Sequence, residues 1–141
     1  MEKVKIGLEE VEKIIRGFAA DNKELLGKVD FVVGVSRGGL APAALLAAII
    51  DKPLVAAYIN KQDEIFFDRG DWINNKNILA VDDIIRSGKT LWLLKNYLQQ
   101  NRQPKNISFF TLYRVRSLEN KNYNIRSFSQ EIDEDAIFPW D

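Results

Sequence analysis

The chain has 141 residues, of which 46% are hydrophobic and 28% are charged, as in a soluble domain with one sizeable core. Lys and Arg together number 20, as do Asp and Glu, so the net charge is zero and the basic excess of a nucleic-acid binder is missing. The sequence contains no Cys and no His, which excludes disulfides, thiolate chemistry and every mechanism that needs an imidazole. Catalysis must therefore use carboxylates, Lys, Arg, hydroxyls, backbone amides or a bound hard cation.

The beginning of the chain, MEKVKIGLEEVEK, alternates charged with apolar residues and lacks the apolar run of a signal peptide. The longest nearly apolar stretch, residues 40–50, is well short of the roughly 20 residues that a membrane helix needs. We therefore expect a cytoplasmic protein without membrane contact, folded as a single domain over residues 1–141.

Helical and buried-strand patterns alternate along the chain. Apolar residues at helical spacing predict a first helix from Leu8 to about Asp21, and continuous apolar runs predict strands that are covered on both faces. Residues 60–77 are polar except for the apolar triplet 65–67, and we expect them to form a long excursion, either a hairpin arm or a lid. The predicted strands are 29–35, 53–59, 77–81, 107–113 and 123–128, and the later helices are 41–50 and 88–100. This alternation indicates an α/β fold, an open parallel sheet flanked by helices.

The first loop of interest, Ser36-Arg37-Gly38-Gly39, follows a predicted buried strand. Two glycines let the backbone turn tightly and present successive N–H groups to an anion, and Arg37 adds a cation with a bidentate donor fork. A plain strand-to-helix turn with an exposed Arg explains the same four residues equally well.

The second loop carries the more specific pattern, Asp82-Asp83 followed by Ser87-Gly88-Lys89-Thr90 at the start of a predicted helix. Hydroxyls, amides and the helix dipole converge there on a site suited to a phosphate. Adjacent carboxylates at a strand end repel each other unless polyol hydroxyls or a hard cation meet them. Together these features describe a ribose 5-phosphate ligand. The P-loop of triphosphatases and kinases is disfavoured, because its pattern needs Gly at position 83 and the sequence has Asp there.

The segment ILAVDDIIRSGKTL resembles the signature of the type I phosphoribosyltransferases. The segment VVGVSRGGLAPAALLA resembles the pyrophosphate loop of their short purine members, especially the xanthine–guanine enzymes. The final Phe138-Pro139-Trp140-Asp141 resembles the Pro-Trp-acid segment of the same enzymes. The resemblance implies a Rossmann-like fold with a small hood formed by the C-terminal segment.

The same resemblance implies transfer of the 5-phosphoribosyl group from 5-phosphoribosyl 1-pyrophosphate (PRPP) to a nitrogenous base, a purine by this similarity, with Mg²⁺ as cofactor and release of pyrophosphate. It assigns catalysis to Asp82 and Asp83, the metal contact to Asp83, and base binding to Arg114 and Ile137. Lys61 or Arg69 would close over the pyrophosphate. The implied PRPP contacts are Ser36, Arg37, Gly38, Gly39, Arg69, Asp82, Asp83, Ile84, Ile85, Arg86, Ser87, Gly88, Lys89 and Thr90.

The chain departs from the purine members at two positions that concern the base. Those enzymes usually carry an Asp where this chain has Arg86, and an Arg stays protonated and cannot act as a general base. Those enzymes also carry an aromatic residue that stacks on the purine, and the corresponding residue here is Asp135 or Ile137. Arg114 matches their Lys that contacts the exocyclic oxygen of the purine, so a cation is retained at that position. We therefore predict weak or no activity on guanine and hypoxanthine despite competent PRPP binding.

These departures keep a second hypothesis open, a non-catalytic regulator of the same fold that senses PRPP or a nucleotide. We expect no nucleic-acid partner, and we expect a homo-oligomer in which the apolar arm 65–67 contributes a subunit contact.

Overall fold

The computed structural model describes residues 3–116 and 123–141. These residues form eight strands, four α-helices and a short 3₁₀ helix at Gly70–Ile73. In chain order the elements are β1 (Lys3–Lys5), α1 (Leu8–Asp21), α2 (Lys23–Lys28), β2 (Phe31–Ser36), α3 (Leu40–Ile50), β3 (Leu54–Ile59), β4 (Ile65–Phe67), β5 (Asn77–Ile85), α4 (Lys89–Asn101), β6 (Asn106–Val115), β7 (Phe128–Ile132) and β8 (Asp135–Ile137).

The main sheet has six strands in the order β4-β3-β2-β5-β6-β7. Five of them are parallel, as their apolar runs predict, but β4 pairs antiparallel with β3 through Ala57↔Phe67 and Ile59↔Ile65. The predicted open parallel sheet flanked by helices is confirmed, and the hairpin of the excursion adds one antiparallel strand at its edge. The excursion begins as a hairpin because the side-chain oxygen of Asn60 accepts the N–H groups of Gln62 and Glu64, each at 2.9 Å, and closes the turn.

The helices cover both faces of the sheet. Helix α1 buries the face formed by Val11, Ile14, Ile15 and Phe18, and the Phe18 ring stacks on Phe110 of β6 at 4.1 Å between centroids. Helices α1 and α3 pack on the same half of the core, and α4 packs on the other half. The predicted bounds of α1, α3 and α4 agree with the structure to within one or two residues, whereas α2 carries no strong apolar periodicity and is not predicted.

Two strand boundaries differ from the sequence prediction. Strand β5 continues to Ile85, four residues past the predicted end at Val81, because Ile84 and Ile85 are buried on opposite faces and still pair with β6. The last strand of the main sheet is Phe128–Ile132 rather than 123–128, since β7 is a half-exposed edge strand with polar residues and has no apolar run.

Strand order places a topological switch point between β2 and β5. The chain leaves β2 towards β3 on one side and later returns to β5 on the other side. In open α/β sheets the carboxyl ends of the strands diverge at such a point and leave a crevice for a ligand. The loops after β2 and β5, residues 36–39 and 86–88, therefore meet at this crevice.

A second, two-stranded sheet forms the hood. Strands β1 and β8 pair in parallel, with Lys3↔Asp135 and Lys5↔Ile137 in register. The predicted C-terminal hood therefore includes the N-terminal strand as well. Phe138, which is 3% exposed, connects the hood to the main sheet by packing against Tyr113, with 6.3 Å between the ring centroids.

Over the described ranges, the structure contains no helix that is both long and apolar enough to cross a bilayer.

Candidate active site

Asp82 and Asp83 lie among the last four residues of β5, at the switch point. Asp82 is 9% exposed, and its Oδ1 accepts the backbone N–H of Asp83 at 2.8 Å. Burial raises the pKa of the Asp82 carboxyl well above its usual 3.8, and the neighbouring charge of Asp83 raises it further. The pair is therefore electrostatically strained until hydroxyl donors or a cation approach it.

Asp83 is held between the loop after β2 and the end of the chain. A Cβ added to Gly38 would lie 2.2 Å from Asp83 Oδ2, so the carboxylate rests directly on the backbone of loop 36–39. The indole N–H of Trp140 donates to the same Oδ2 at 3.1 Å. The structure thus brings loop 36–39, the Asp pair and the C-terminal segment together, and nothing local in the sequence indicates the Trp140 contact.

Loop 36–39 depends on a very close approach of Gly39 to β5. A Cβ at Gly39 would lie 2.2 Å from the carbonyl oxygen of Val81 and 2.8 Å from that of Val35. The Gly39 N–H donates to Val35 O at 2.8 Å, and the peptide between Ser36 and Arg37 is cis. Arg37 is exposed, so its guanidinium is accessible to an anion at the crevice.

Loop 86–90 borders a small cavity of about 260 Å³ at the start of α4. Gly88 has φ of 86°, a left-handed conformation that side chains rarely adopt, and its N-cap position turns the backbone into the helix. The Lys89 N–H donates to Ser87 Oγ at 3.2 Å. The cavity is lined by Asp82, Ile84, Ile85, Arg86, Ser87, Gly88, Lys89, Thr90 and Leu91. The side chains of Ile84 and Ile85 are buried in the core, which leaves only their backbone groups for a ligand.

Both cations of loop 86–90 are held by carboxylates from other segments. Arg86 pairs with Asp135 of the hood at 2.9 Å, and Lys89 pairs with Asp63 in the β3–β4 turn at 3.1 Å. Partial burial alone would raise the pKa of Asp135, but hydrogen bonds from Arg86 and from the Ala136 N–H outweigh it and hold that pKa below its usual value. Neither pair is visible in the sequence, because each joins residues far apart in the chain.

Arg69 lies away from loops 36–39 and 86–90 in this structure. It pairs with Asp68 at 2.8 Å, and its guanidinium lies 5.1 Å from the Trp72 ring, which in turn lies 6.1 Å from Phe31. Phe31 begins β2 and Ser36 ends it, a separation of roughly 16 Å at the usual strand rise. Arg69 thus lies near the amino end of β2 and its PRPP contact stays a prediction, whereas Lys61 lies exposed in the β3–β4 turn that also carries Asp63, the partner of Lys89.

The two predicted base-binding residues lie apart from each other. The Arg114 guanidinium donates to the carbonyl oxygen of Ile125 and to Ser127 Oγ, on the face of the sheet that α4 covers. Ile137 lies on β8 in the hood and is 38% exposed. Of these two residues, Arg114 is hydrogen-bonded to the segment before β7, and Ile137 is exposed on the hood.

The carboxylates suit a magnesium ion that is shared with a ligand. No group of three or more Asp, Glu, His or Cys that could hold a metal occurs in residues 3–116 and 123–141. Mg²⁺ needs no such cage, because it usually keeps several waters and binds through one or two carboxylates together with substrate oxygens. The strained pair Asp82-Asp83 provides this donor set.

The fold and the crevice agree with comparisons to known proteins. No family model matches the chain. The chain is 28% identical over 119 residues to the xanthine-guanine phosphoribosyltransferase of Desulfotalea psychrophila, over 78% of this chain and 69% of that protein. It is also 28% identical over 91 residues to the orotate phosphoribosyltransferase of Fusobacterium nucleatum subsp. nucleatum, over 63% of this chain but only 43% of that enzyme.

A solved purine phosphoribosyltransferase from Pyrococcus horikoshii superposes with a TM-score of 0.83 at 27% identity and covers 100% of this chain and 95% of that one. In sequence and in fold the chain is therefore similar to phosphoribosyltransferases, which supports its resemblance to the type I family. Within that family its similarity is to the short purine members.

Proposed function

We propose that this protein transfers the 5-phosphoribosyl group from PRPP to a nitrogenous base of the purine class and releases pyrophosphate. One observation carries the proposal: the Asp82-Asp83 pair lies between two anion-binding loops, with Asp83 in contact with Gly38 on one side and Asp82 lining the loop-86–90 cavity on the other. PRPP carries its ribose hydroxyls between a 5-phosphate and a pyrophosphate. Two carboxylates between two loops match this arrangement.

In this proposal the two loops hold the two ends of the ligand. The 5-phosphate is bound at the start of α4 by the amides of Ser87, Gly88 and Lys89 and by the hydroxyls of Ser87 and Thr90. Arg37 and the amides of Gly38 and Gly39 bind the pyrophosphate. Fixing both ends places C1 of the ribose near the incoming base, and such positioning accounts for much of the rate gain in a reaction of this kind.

Asp82 and Asp83 bind the ribose hydroxyls and stabilise the charge that develops on the ring. When the bond from C1 to the pyrophosphate oxygen lengthens, the ring becomes positively charged. Fixed carboxylates in a partly buried site stabilise that positive charge. Donation from the ribose hydroxyls in turn relieves the repulsion between the two carboxylates.

Mg²⁺, held by Asp83 together with ligand oxygens and water, neutralises phosphate charge when it is bound. We further infer that Lys61, on the β3–β4 turn, is the cation of residues 60–77 that closes over the pyrophosphate. We also expect the protein to be cytoplasmic and homo-oligomeric, with the exposed Phe66 of the β3–β4 hairpin in the subunit contact.

Calorimetric titration with PRPP and Mg²⁺ tests the proposal. The wild type should bind, and Asp82→Asn/Asp83→Asn should lose binding because no carboxylate remains to receive the ribose hydroxyls or the metal. The matched control is Asp21→Asn/Asp51→Asn, which removes the same charge from exposed positions outside the crevice. Absence of binding by the wild type, or full binding by Asp82→Asn/Asp83→Asn, contradicts the proposal.

A turnover screen then separates the enzyme from the regulator that sequence analysis left open. Guanine, hypoxanthine, xanthine, adenine and orotate are each offered with PRPP and Mg²⁺, and pyrophosphate release is measured. Release with at least one purine supports the transferase. Tight PRPP binding without release for any base favours the sensing regulator.

A further inference from the structure

We infer that Trp140 is a positioning residue that orients the Asp83 carboxylate through its indole N–H. The inference rests on the proposed function, because Asp83 is the group expected to meet the ribose hydroxyls and Mg²⁺. It adds a role for the C-terminal turn that concerns the ribose and metal site rather than the base.

The last four residues form a turn that fixes the position of the indole. The backbone N–H of Asp141 donates to the carbonyl oxygen of Phe138 at 3.1 Å, and the Phe138 N–H donates to the Asp141 side chain at 2.8 Å. Pro139 occupies the second position of this turn, where its fixed φ is favourable. The sequence Phe-Pro-Trp-Asp therefore closes on itself from both ends, with Trp140 at its third position.

Aromatic packing holds the same ring in one orientation. The rings of Trp140 and Phe138 are parallel to within 3°, with 5.1 Å between their centroids. Phe138 is itself buried against Tyr113 of the main sheet. The indole is thus anchored to the core through Phe138, and its N–H points at Asp83.

Two contacts restrict the orientation of the Asp83 carboxylate. Gly38 lies against it, closest to Oδ2, and the Trp140 N–H donates to the same Oδ2. Within residues 3–116 and 123–141, the indole is the only side-chain donor to this carboxylate. The indole N–H therefore holds Oδ2 in place, and loss of this N–H lets the carboxylate rotate.

The variant Trp140→Phe removes the N–H and keeps an aromatic ring over Phe138. We expect its affinity for PRPP with Mg²⁺ to fall by roughly tenfold or more, as for the loss of one hydrogen bond to a charged group. The matched control is Trp72→Phe, whose ring is 47% exposed beside Arg69 at the opposite end of β2. This control should bind as the wild type does, and both variants should melt within a few degrees of it.

A spectroscopic readout keeps the inference testable if Trp140→Phe proves unstable. In a Trp72→Phe/Trp92→Phe protein, Trp140 is the remaining tryptophan, since the chain has three. Its emission should change when PRPP and Mg²⁺ bind, and it should shift in the absence of ligand when Asp83→Asn is added.

The outcomes separate the inference from the function on which it rests. If the wild type binds PRPP and Trp140→Phe binds equally well, the positioning role is refuted and the proposed function stands. Emission that responds neither to ligand nor to Asp83→Asn refutes the role as well. If the wild type fails to bind PRPP, the proposed function fails and the inference falls with it.

Discussion

Two adjacent glycines in loop 36–39 should respond to the same substitution in different ways. In Gly38→Ala the new Cβ would lie 2.2 Å from Oδ2, 2.6 Å from Cγ and 2.8 Å from Oδ1 of Asp83. The carboxylate must then retreat by about 1 Å to reach an ordinary van der Waals distance. A misplacement of about 1 Å can cost on the order of 100-fold in catalysis. We therefore expect Gly38→Ala to lose PRPP binding and turnover while the fold stays intact.

Gly39→Ala meets backbone instead of a side chain. Its Cβ would lie 2.2 Å from the carbonyl oxygen of Val81 and 2.9 Å from Cα of Asp82, so β2 and β5 have to move apart. Overpacking of this kind typically costs about 1–3 kcal/mol of folding free energy, and here no side chain can rotate away to reduce it. We expect Gly39→Ala to lose at least that much stability.

The control for both is Gly17→Ala in α1. No atom lies within 4 Å of the position that its Cβ would occupy, and the residue is exposed in the helix interior. Replacing such a glycine with alanine should stabilise the helix by about 0.5–1 kcal/mol. Gly17→Ala should therefore raise the unfolding free energy and leave ligand binding unchanged.

Urea unfolding and PRPP titration on the three variants are the assays. The expected pattern is a stability gain for Gly17→Ala, lost binding with near-native stability for Gly38→Ala, and lost stability for Gly39→Ala. Undiminished PRPP affinity in Gly38→Ala would refute the contact between this loop and the carboxylate. Native stability in Gly39→Ala would refute the close approach of the two strands.

Three further predictions concern charge. The raised pKa of Asp82 means that, between its usual value of 3.8 and the folded-state value, the native protein keeps a proton that the unfolded chain has lost. Stability should therefore fall as pH rises through that window, and Asp82→Asn should match the wild type at low pH and exceed it at neutral pH in urea unfolding. A wild type that gains stability relative to Asp82→Asn with rising pH would contradict this. The single change Arg86→Asp would place a new carboxylate against that of Asp135. The informative variant is therefore Arg86→Asp/Asp135→Asn, which should gain turnover of guanine or hypoxanthine. Retained PRPP binding without that gain counts against the role assigned to Arg86. Lys89→Ala breaks a half-exposed ion pair and should cost less than about 1 kcal/mol of stability while weakening PRPP binding, and unchanged PRPP affinity would remove Lys89 from the site.

Local patterns in the sequence predict the elements that are buried on a regular period. The apolar residues of α1 and the β-branched run of β2 report burial directly, and their observed bounds follow the pattern closely. The antiparallel strand β4 and the polar edge strand β7 have no such signature, because edge strands gain their stability from pairing with one neighbour. The pairing of β1 with β8 joins the two ends of the chain and is likewise invisible to a local pattern.

Some features of the candidate site can likewise be predicted from local sequence patterns, and others cannot. Gly-rich loops after strands and the adjacent carboxylates are local features, so sequence analysis could find them before any fold was known. The contacts of Trp140 with Asp83, of Arg86 with Asp135 and of Lys89 with the β3–β4 turn depend on the tertiary fold. The position of Arg69 near the amino end of β2 likewise becomes visible only in the fold.

The ion pairs on loop 86–90 bear directly on how a phosphate would bind there. Arg86 and Lys89 already have carboxylate partners, so an incoming phosphate gains only the difference between its own contacts and those it replaces. Each existing pair is partly exposed, and such pairs contribute only about 0.2–1 kcal/mol. A phosphate dianion at the start of α4 meets backbone amides, a hydroxyl and the helix dipole in addition to the cations. The exchange therefore favours the ligand, and the same exchange would release Asp135 of the hood and the β3–β4 turn while the ligand is held.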